Sequence, residues 1–358
     1  MHQTLSLTLC IIAKNEEKNI EQCIGSVKDI ADEIIVVDTG STDKTKDIAR
    51  ELGAKVFDFK WVDDFSAARN EALKHATKDW ILVLDADETI SKKDVAQLRQ
   101  LLNDAACLGY YFVIRTYTDD SKAAGWVSST GDAYPESSRA SGWFSTRLIR
   151  LFRNDSRIRF TGIIHETIGP SIREIGEVKE SPFPIHHFGR VNDRNGQKEQ
   201  LYHRLGDLKL SQDANYHSYA QLGIQAQEAG NYEEAVGLFK QSLALNGAYF
   251  KAWLNLGACY LKLDLINEAE QALVKASSLE PTDYSTHNNL GIVYSQLGKA
   301  VLAVDEFLKA IKLNPKGASI YLNLGLALDS LGDKDKAYSA FKTAIELNPK
   351  YKDRIKLE

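Results

Sequence analysis

Three stretches of the chain put polar and charged side chains directly after apolar runs. Ala13-Lys14-Asn15-Glu16 closes the run that begins at Leu5, Asp38-Thr39-Gly40-Ser41-Thr42-Asp43 follows Glu33–Val37, and Asp85-Ala86-Asp87-Glu88 follows Trp80–Leu84. An Asp-x-Asp pair also occurs in exposed loops, but one placed at the end of a continuous apolar strand marks a ligand site. Three such strand ends on one rim of a sheet are expected to gather around one ligand. A second polar series comes later: Gln221, Asn255, Asn289 and Asn323. Each carboxamide offers two donors and an acceptor, which suits it to hold a peptide backbone. The alternative is that a carboxamide is simply common at this place in the repeat described below.

The elements that must position these groups can be read from the pattern. Residues 1–115 alternate between strand and helix. Strands are expected at Leu5–Ala13, Glu33–Val37, Lys55–Phe57 and Trp80–Leu84, and helices at Glu16–Lys28, Asp43–Leu52 and Ser66–His75. Ile20, Cys23, Ile24 and Val27 share one helical face, and Ser66 stands where an N-cap would. This alternation predicts an α/β domain with a Rossmann-like, mostly parallel sheet, whose ligands bind beyond the C-terminal strand ends. Residues 116–146, rich in Ser, Gly, Asp and Ala and carrying Trp126, Tyr134 and Trp143, read as a long loop. They form either a loop over the ligand site in which an aromatic stacks on the ligand, or a mobile loop whose tryptophans pack on the core.

From about residue 216 the chain repeats itself. Gly223, Gly257, Gly291 and Gly325 recur at a spacing of 34, each preceded by a leucine. Ala235, Ala269, Ala303 and Ala337 keep the same spacing, as do Phe239, Leu273, Phe307 and Phe341, and Pro281, Pro315 and Pro349 close the last three units. Small residues let two antiparallel helices approach, large ones fill the seam, and proline stops the second helix. The turns between helices are expected at Gly230-Asn231, Leu263-Asp264, Gly298-Lys299 and Gly332-Asp333. The pattern resembles the tetratricopeptide repeat, in four copies stacked as an all-α solenoid with a concave binding face. The tail Tyr351–Glu358, short and charged, is expected to cap the array poorly. The organisation predicted is therefore a domain over 1–197, a linking segment over 198–214 with a helix from Lys198 to Leu210, and repeats over 215–358.

At 358 residues the chain suits two domains. Its net charge of −5 argues against a general nucleic-acid binder. The sequence holds no apolar stretch of the roughly 20 residues a membrane helix needs, and Met1–Leu9 lacks the features of a secretory signal. Cys10, Cys23, Cys107 and Cys259 are scattered and absent from zinc spacings. Free thiols in a reducing compartment are expected, and with them a cytoplasmic location.

The segments IIAKNEE, EIIVVDTGSTDKT, WVDDFSAARNEAL, WILVLDADE, LIRLFRN, FTGIIHETI and IHHFGR occur in this order. Together they resemble glycosyltransferase family 2, which has the GT-A fold. The bacterial branch that carries tetratricopeptide repeats includes lipopolysaccharide-core and peptide S-glucosyltransferases. The resemblance covers about residues 5–205 and implies a metal-dependent, inverting transfer of sugar from a nucleotide-diphosphate donor such as a UDP-sugar. The acceptor would be a glycan, peptide or protein, and the repeats would bind a partner, the acceptor or a second copy.

The resemblance also implies roles. Asp85-Ala86-Asp87 matches the DXD motif, with Asp87 holding Mg²⁺ or Mn²⁺ and Asp85 meeting the ribose or a metal-bound water. His187 completes the metal shell, with adjacent His186 as the alternative. Asp38 contacts the base or ribose, and Ala13, Asn15 and Glu16 line the same pocket. Arg69 reaches the diphosphate, unless it pairs with Asp63 or Asp64. Glu166 is the base, with His165 orienting the acceptor or serving as base itself. Glu166 could instead pair with Arg157 or Arg159. A competing reading is a repeat scaffold whose α/β domain binds nucleotide without catalysing. A sugar nucleotidyltransferase would want a glycine-rich phosphate loop, and Ala13-Lys14-Asn15-Glu16-Glu17 contains no glycine.

Overall fold

The computed structural model describes residues 5–104, 106–121, 123, 125–164, 166–192, 204–206, 214–353 and 355. The chain forms two compact units, 1–195 and 196–358. His165 and most of the expected linking helix lie outside the described residues. Within that helix only 204–206 are described, and they are helical.

In the first unit, β1 (Leu7–Ala13), β2 (Glu33–Asp38), β3 (Lys55–Asp58) and β4 (Trp80–Asp85) form a parallel half-sheet in the order β3-β2-β1-β4. Successive residues of these strands point to opposite faces. Leu9, Ile11, Val36, Leu82 and Leu84 enter one core, while Cys10, Ile35, Val37, Ile81 and Val83 enter another. Both faces are therefore apolar, the condition for a buried parallel sheet. Helices α1 (Ile20–Val27), α2 (Thr45–Glu51) and α3 (Phe65–His75) connect the strands. On α1, Ile20, Cys23, Ile24 and Val27 are buried, as their spacing requires. The N-cap of α3 is Asp64, whose side chain accepts from the Ala67 amide at 3.1 Å. Ser66 lies inside the helix and donates its hydroxyl to Asp64.

The other half of the sheet is where the expectation of a mostly parallel sheet gives way to a mixed one. The segment read as a loop from 116 is strand at both ends: β6 (Gly109–Thr118) pairs antiparallel with β8 (Gly142–Arg153). β8 also joins β4 in antiparallel pairing. Polar and glycine residues dominate the connection and mask the alternation at its ends. Beyond β6 lies β10 (Ile185–His187), parallel to it, and then β5 (Glu88–Thr89), antiparallel to β10. β7 (Val127–Ser128) pairs with β8, and β9 (Val178–Glu180) with β6. The remaining helices of this unit are α4 (Val95–Leu101), α5 (Gly169–Arg173) and α6 (Gly189–Asn192).

The second unit is helical over its described residues, as four antiparallel pairs: Tyr216–Glu228 with Tyr232–Leu245, Phe250–Lys262 with Ile266–Leu279, Tyr284–Gln296 with Ala300–Leu313, and Ala318–Ser330 with Lys334–Leu347. The recurring glycines sit against the recurring large residues. A Cβ on Gly257 would stand 2.5 Å from Leu273, and one on Gly291 would stand 2.5 Å from Phe307. The turns take left-handed backbone at Gly230, Gly298 and Gly332, and Asp264 adopts the same conformation in the second pair (φ 59°). The tail covers the last pair better than its composition suggests, because Tyr351 and Ile355 are buried against Ala318 and Ala344.

Candidate active site

The parallel register puts Asp38 opposite Ala13, and Asp85 opposite Ile12, so the polar ends of β1, β2 and β4 share one rim. Asp38 is 1% exposed. Its Oδ1 accepts from the amides of Gly40 (3.0 Å) and Ser41 (2.8 Å), a turn that needs the left-handed Gly40 (φ 108°). Its Oδ2 is buried with no hydrogen-bond partner among the described residues, and a buried oxygen of this kind is costly unless something else satisfies it. Asn15, itself left-handed (φ 57°), accepts from the Thr42 amide at 2.8 Å, while its own amide donates to Ser41. The Glu16 amide donates to the Thr45 hydroxyl, and its carboxylate accepts from the Asn19 side chain. Asn15 and Glu16 thus tie the β1–α1 loop to the β2–α2 loop. Ala13 is buried in the sheet with its side chain in the core.

Asp85, Arg69 and Glu166 come together. Arg69, 5% exposed on α3, donates from Nη2 to Asp85 Oδ1 and from Nε to Glu166 Oε1, the latter at 2.8 Å. The side chains first set against each other as partners of Arg69 (Asp63 or Asp64) and of Glu166 (Arg157 or Arg159) are not those seen, because α3 turns Arg69 inward. The loop that carries Glu166 is clamped to α3: the Phe65 amide donates to the Ile163 carbonyl, and the Asn70 side chain bonds both the amide and the carbonyl of Phe160.

A second buried guanidinium completes this cluster. Arg150 on β8 donates to Asp85 Oδ2 at 2.9 Å and to Glu88 Oε1 at 2.7 Å. Burial opposes the charge of Asp85, but Arg150 and Arg69 outweigh it and hold the carboxyl well below the usual carboxylate range. Burial dominates at Glu88 and raises it to about 7 against the pull of Arg150. The sequence assigns no role to Arg150, and places Glu88 only in the polar run that follows Trp80–Leu84. The available signal was a lone arginine inside the apolar run Leu148–Phe152, which has to find a buried acid.

Asp87 and His187 meet through the pairing of β5 with β10, in which His187 lies opposite Glu88. His187 Nε2 is 3.5 Å from Asp87 Oδ1, and its Nδ1 is 3.0 Å from the Thr116 hydroxyl. Burial works against charge on this imidazole. The hydrogen bond and charge of Asp87, then Glu88 and Asp85, overcome it and raise His187 to about 9. His186 faces the other side of the sheet. It is fully buried, 2.8 Å from the Tyr117 hydroxyl, and lowered to about 3 by burial and then by Arg115. A Cβ on Gly189 would lie 2.6 Å from Asp87 Oδ2 and 2.7 Å from His187 Nε2. The absence of a side chain there leaves a cradle beside one carboxylate oxygen and one imidazole nitrogen, and among the described residues no group of three or more His, Cys, Asp or Glu side chains gathers as a metal site.

Tyr134 of the β6–β8 connection and Trp143 at the start of β8 pack against cations of the same chain. Tyr134 lies under Lys93 (3.3 Å) and Arg115 (4.8 Å), and Trp143 under Arg115 (4.3 Å).

Comparison with known proteins agrees with this architecture. Residues 8–168 match glycosyl transferase family 2, and residues 226–290, 284–316 and 318–351 match tetratricopeptide repeats. A TPR repeat-containing protein of Synechococcus elongatus is 35% identical over 247 residues, covering 66% of this chain and 56% of its own. The SPbeta prophage-derived glycosyltransferase SunS of Bacillus subtilis is 32% identical over 165 residues, 46% of this chain and 35% of its own. A Rickettsia bellii protein named as a glycosyltransferase is 49% identical over 90 residues, 25% of this chain and 30% of its own. The chain thus spans little more than half the length of the first of these relatives and about a third of the other two. With its α/β sheet, its acidic rim and these matches, the chain places a domain similar to glycosyl transferase family 2 ahead of an array similar to tetratricopeptide repeats.

Proposed function

We propose that the N-terminal domain transfers a sugar from a nucleotide-diphosphate donor, such as a UDP-sugar, to a glycan, peptide or protein, with inversion and with the help of Mg²⁺ or Mn²⁺. The observation that carries this reading is the cradle formed by Asp87, His187 and Gly189 at the strand rim. Asp87 and His187 would hold the cation, and Thr116 fixes the imidazole from behind, as outer partners of a metal ligand do. When bound there, the cation supplies positive charge to the diphosphate leaving group.

The residues of the chain then divide the remaining work. Asp38 presents its unpartnered Oδ2 to the nucleoside. Asp85, with both oxygens engaged by Arg69 and Arg150, anchors the rim rather than the ribose, and Arg69 holds the base rather than the diphosphate. Glu166 is kept in place through Oε1 by Arg69 and takes the acceptor proton on its other oxygen. As that proton leaves, the acceptor oxygen or sulfur bonds to the anomeric carbon. The bond from that carbon to the phosphate oxygen breaks, and its electron pair departs with the nucleoside diphosphate. A single displacement of this kind inverts the anomeric centre. The repeats receive a protein or peptide (partner, acceptor or second copy). Their carboxamides are partly engaged within the array, Asn255 donating to the Lys251 carbonyl and Asn323 to Asn288.

The test is nucleotide release from a panel of UDP-sugars with Mn²⁺. The wild-type chain is expected to exceed background, and Asp87→Ala to lose at least about 100-fold. Release at background from both would favour the scaffold that binds nucleotide without catalysing.

A further inference from the structure

Trp126, in the β6–β8 connection, is placed differently from Tyr134 and Trp143. The indole of Trp126 lies on Gly142, in the space a Cβ would occupy. Gly142 is opposite Thr118 of β6 and Ser128 of β7, and Phe144 is opposite Thr116. Directly opposed residues share a sheet face, and so do residues two apart on a strand. Gly142, Thr118 and Thr116 therefore share one face, and Thr116 is the residue that touches His187. Trp126 thus lies on the metal-cradle face of the sheet, above the strand pair that leads away from Thr116. Thr118 is two residues further along β6, about 7 Å. Tyr134 is instead packed beside His186, on the opposite face.

Two features make this indole a platform. Its seat requires glycine, since any side chain at 142 would displace the ring. The residue is only half-buried, so part of its surface stays open. Its Nε1–H is withdrawn from solvent and meets no acceptor among the described residues. The face of an aromatic ring carries partial negative charge and attracts the axial C–H groups of a pyranose, so the open part of the ring, rather than its buried N–H, is what a sugar would meet.

We propose that Trp126 is a stacking platform for a pyranose ring beside the cradle. This rests on the transferase reading above and adds a residue that recognises sugar, where Asp38 and Asp87 recognise nucleotide and cation. The pyranose could belong to the donor or to the acceptor.

The test reads the indole ¹H–¹⁵N signals of the full chain, with Trp126 assigned by its loss in Trp126→Phe. Probes are UDP alone, then UDP-glucose, UDP-galactose and UDP-N-acetylglucosamine, then the methyl glycosides of the same sugars, all with Mg²⁺. The Trp126 signal is expected to move with a pyranose-bearing probe and to stay with UDP alone. Movement with the UDP-sugars assigns the donor ring; movement with the methyl glycosides assigns the acceptor ring. Trp126→Leu should weaken the effective probe about tenfold and Trp126→Phe much less. Gly142→Ala, which lifts the indole from its seat while keeping it in the chain, should reproduce the leucine effect. UDP that binds while Trp126 ignores every sugar overturns this proposal alone. UDP that does not bind at all overturns the transferase reading beneath it, and this proposal with it.

Discussion

At the residue scale, the acids of the first unit behave in opposite ways according to what surrounds them. Glu33 shows the effect away from the site. Burial disfavours its charge, but the Lys55 ammonium, the Thr77 amide and the hydroxyls of Thr8 and Thr77 together hold it at about 2. A carboxyl whose pKa is depressed by folding stabilises the fold above its unfolded value and loses that contribution as pH falls toward the folded one. Glu33→Gln is expected to cost on the order of 2–3 kcal/mol at pH 7. That difference from wild type should shrink between about pH 5 and pH 2, as read by denaturant titration; a difference independent of pH would contradict the assignment. The same reasoning explains what sequence motifs reached and what they did not. Asp38, Asp85, Asp87, Glu166 and His187 stood at strand ends or in recognisable segments. The partners that set their charge, Arg150 above all, come from β8, whose arrival beside β4 is a long-range pairing. Spacing along the chain carries no trace of such a pairing.

At the element scale, the helical repeat was legible nearly in full, since the pairing of its two helices is made within a 34-residue period and is written four times. The sheet was legible only where strand and helix alternate locally. The β6–β8 pair escaped because its partners are joined by a connection that looks like surface. The repeat offers a test with two signs. Gly291 faces Phe307, so Gly291→Ala must displace a packed ring and is expected to cost about 1–3 kcal/mol. Gly237 sits inside the helix Tyr232–Leu245 with open space at its Cβ position, so Gly237→Ala should stabilise by about 0.5–1 kcal/mol. Thermal melts of the two variants should move in opposite directions from wild type. A shift of the same sign in both would mean that the glycines are not what sets the helix spacing.

At the scale of the whole molecule, the chain consists of two units, each with its own core. The carboxylates, guanidinium groups and imidazole described above all belong to the first. Deleting residues 215–358 is therefore expected to leave UDP-sugar hydrolysis unchanged. Loss of hydrolysis in a folded truncated chain would show that the second unit supplies part of the site. If transfer to the natural acceptor is lost while hydrolysis survives, the repeats are its dock; transfer that survives intact assigns them to a partner or a second copy.

The central claim is that Asp87 and His187 share one divalent cation. Pulsed electron paramagnetic resonance of Mn²⁺ bound with UDP measures this directly, through the coupling of the ion to a ligating ¹⁴N nucleus. The wild-type chain should give an imidazole coupling that disappears in His187→Ala and persists in His186→Ala, and Asp87→Ala should lose the bound ion. A spectrum without nitrogen coupling, or one whose coupling survives His187→Ala, would contradict the account.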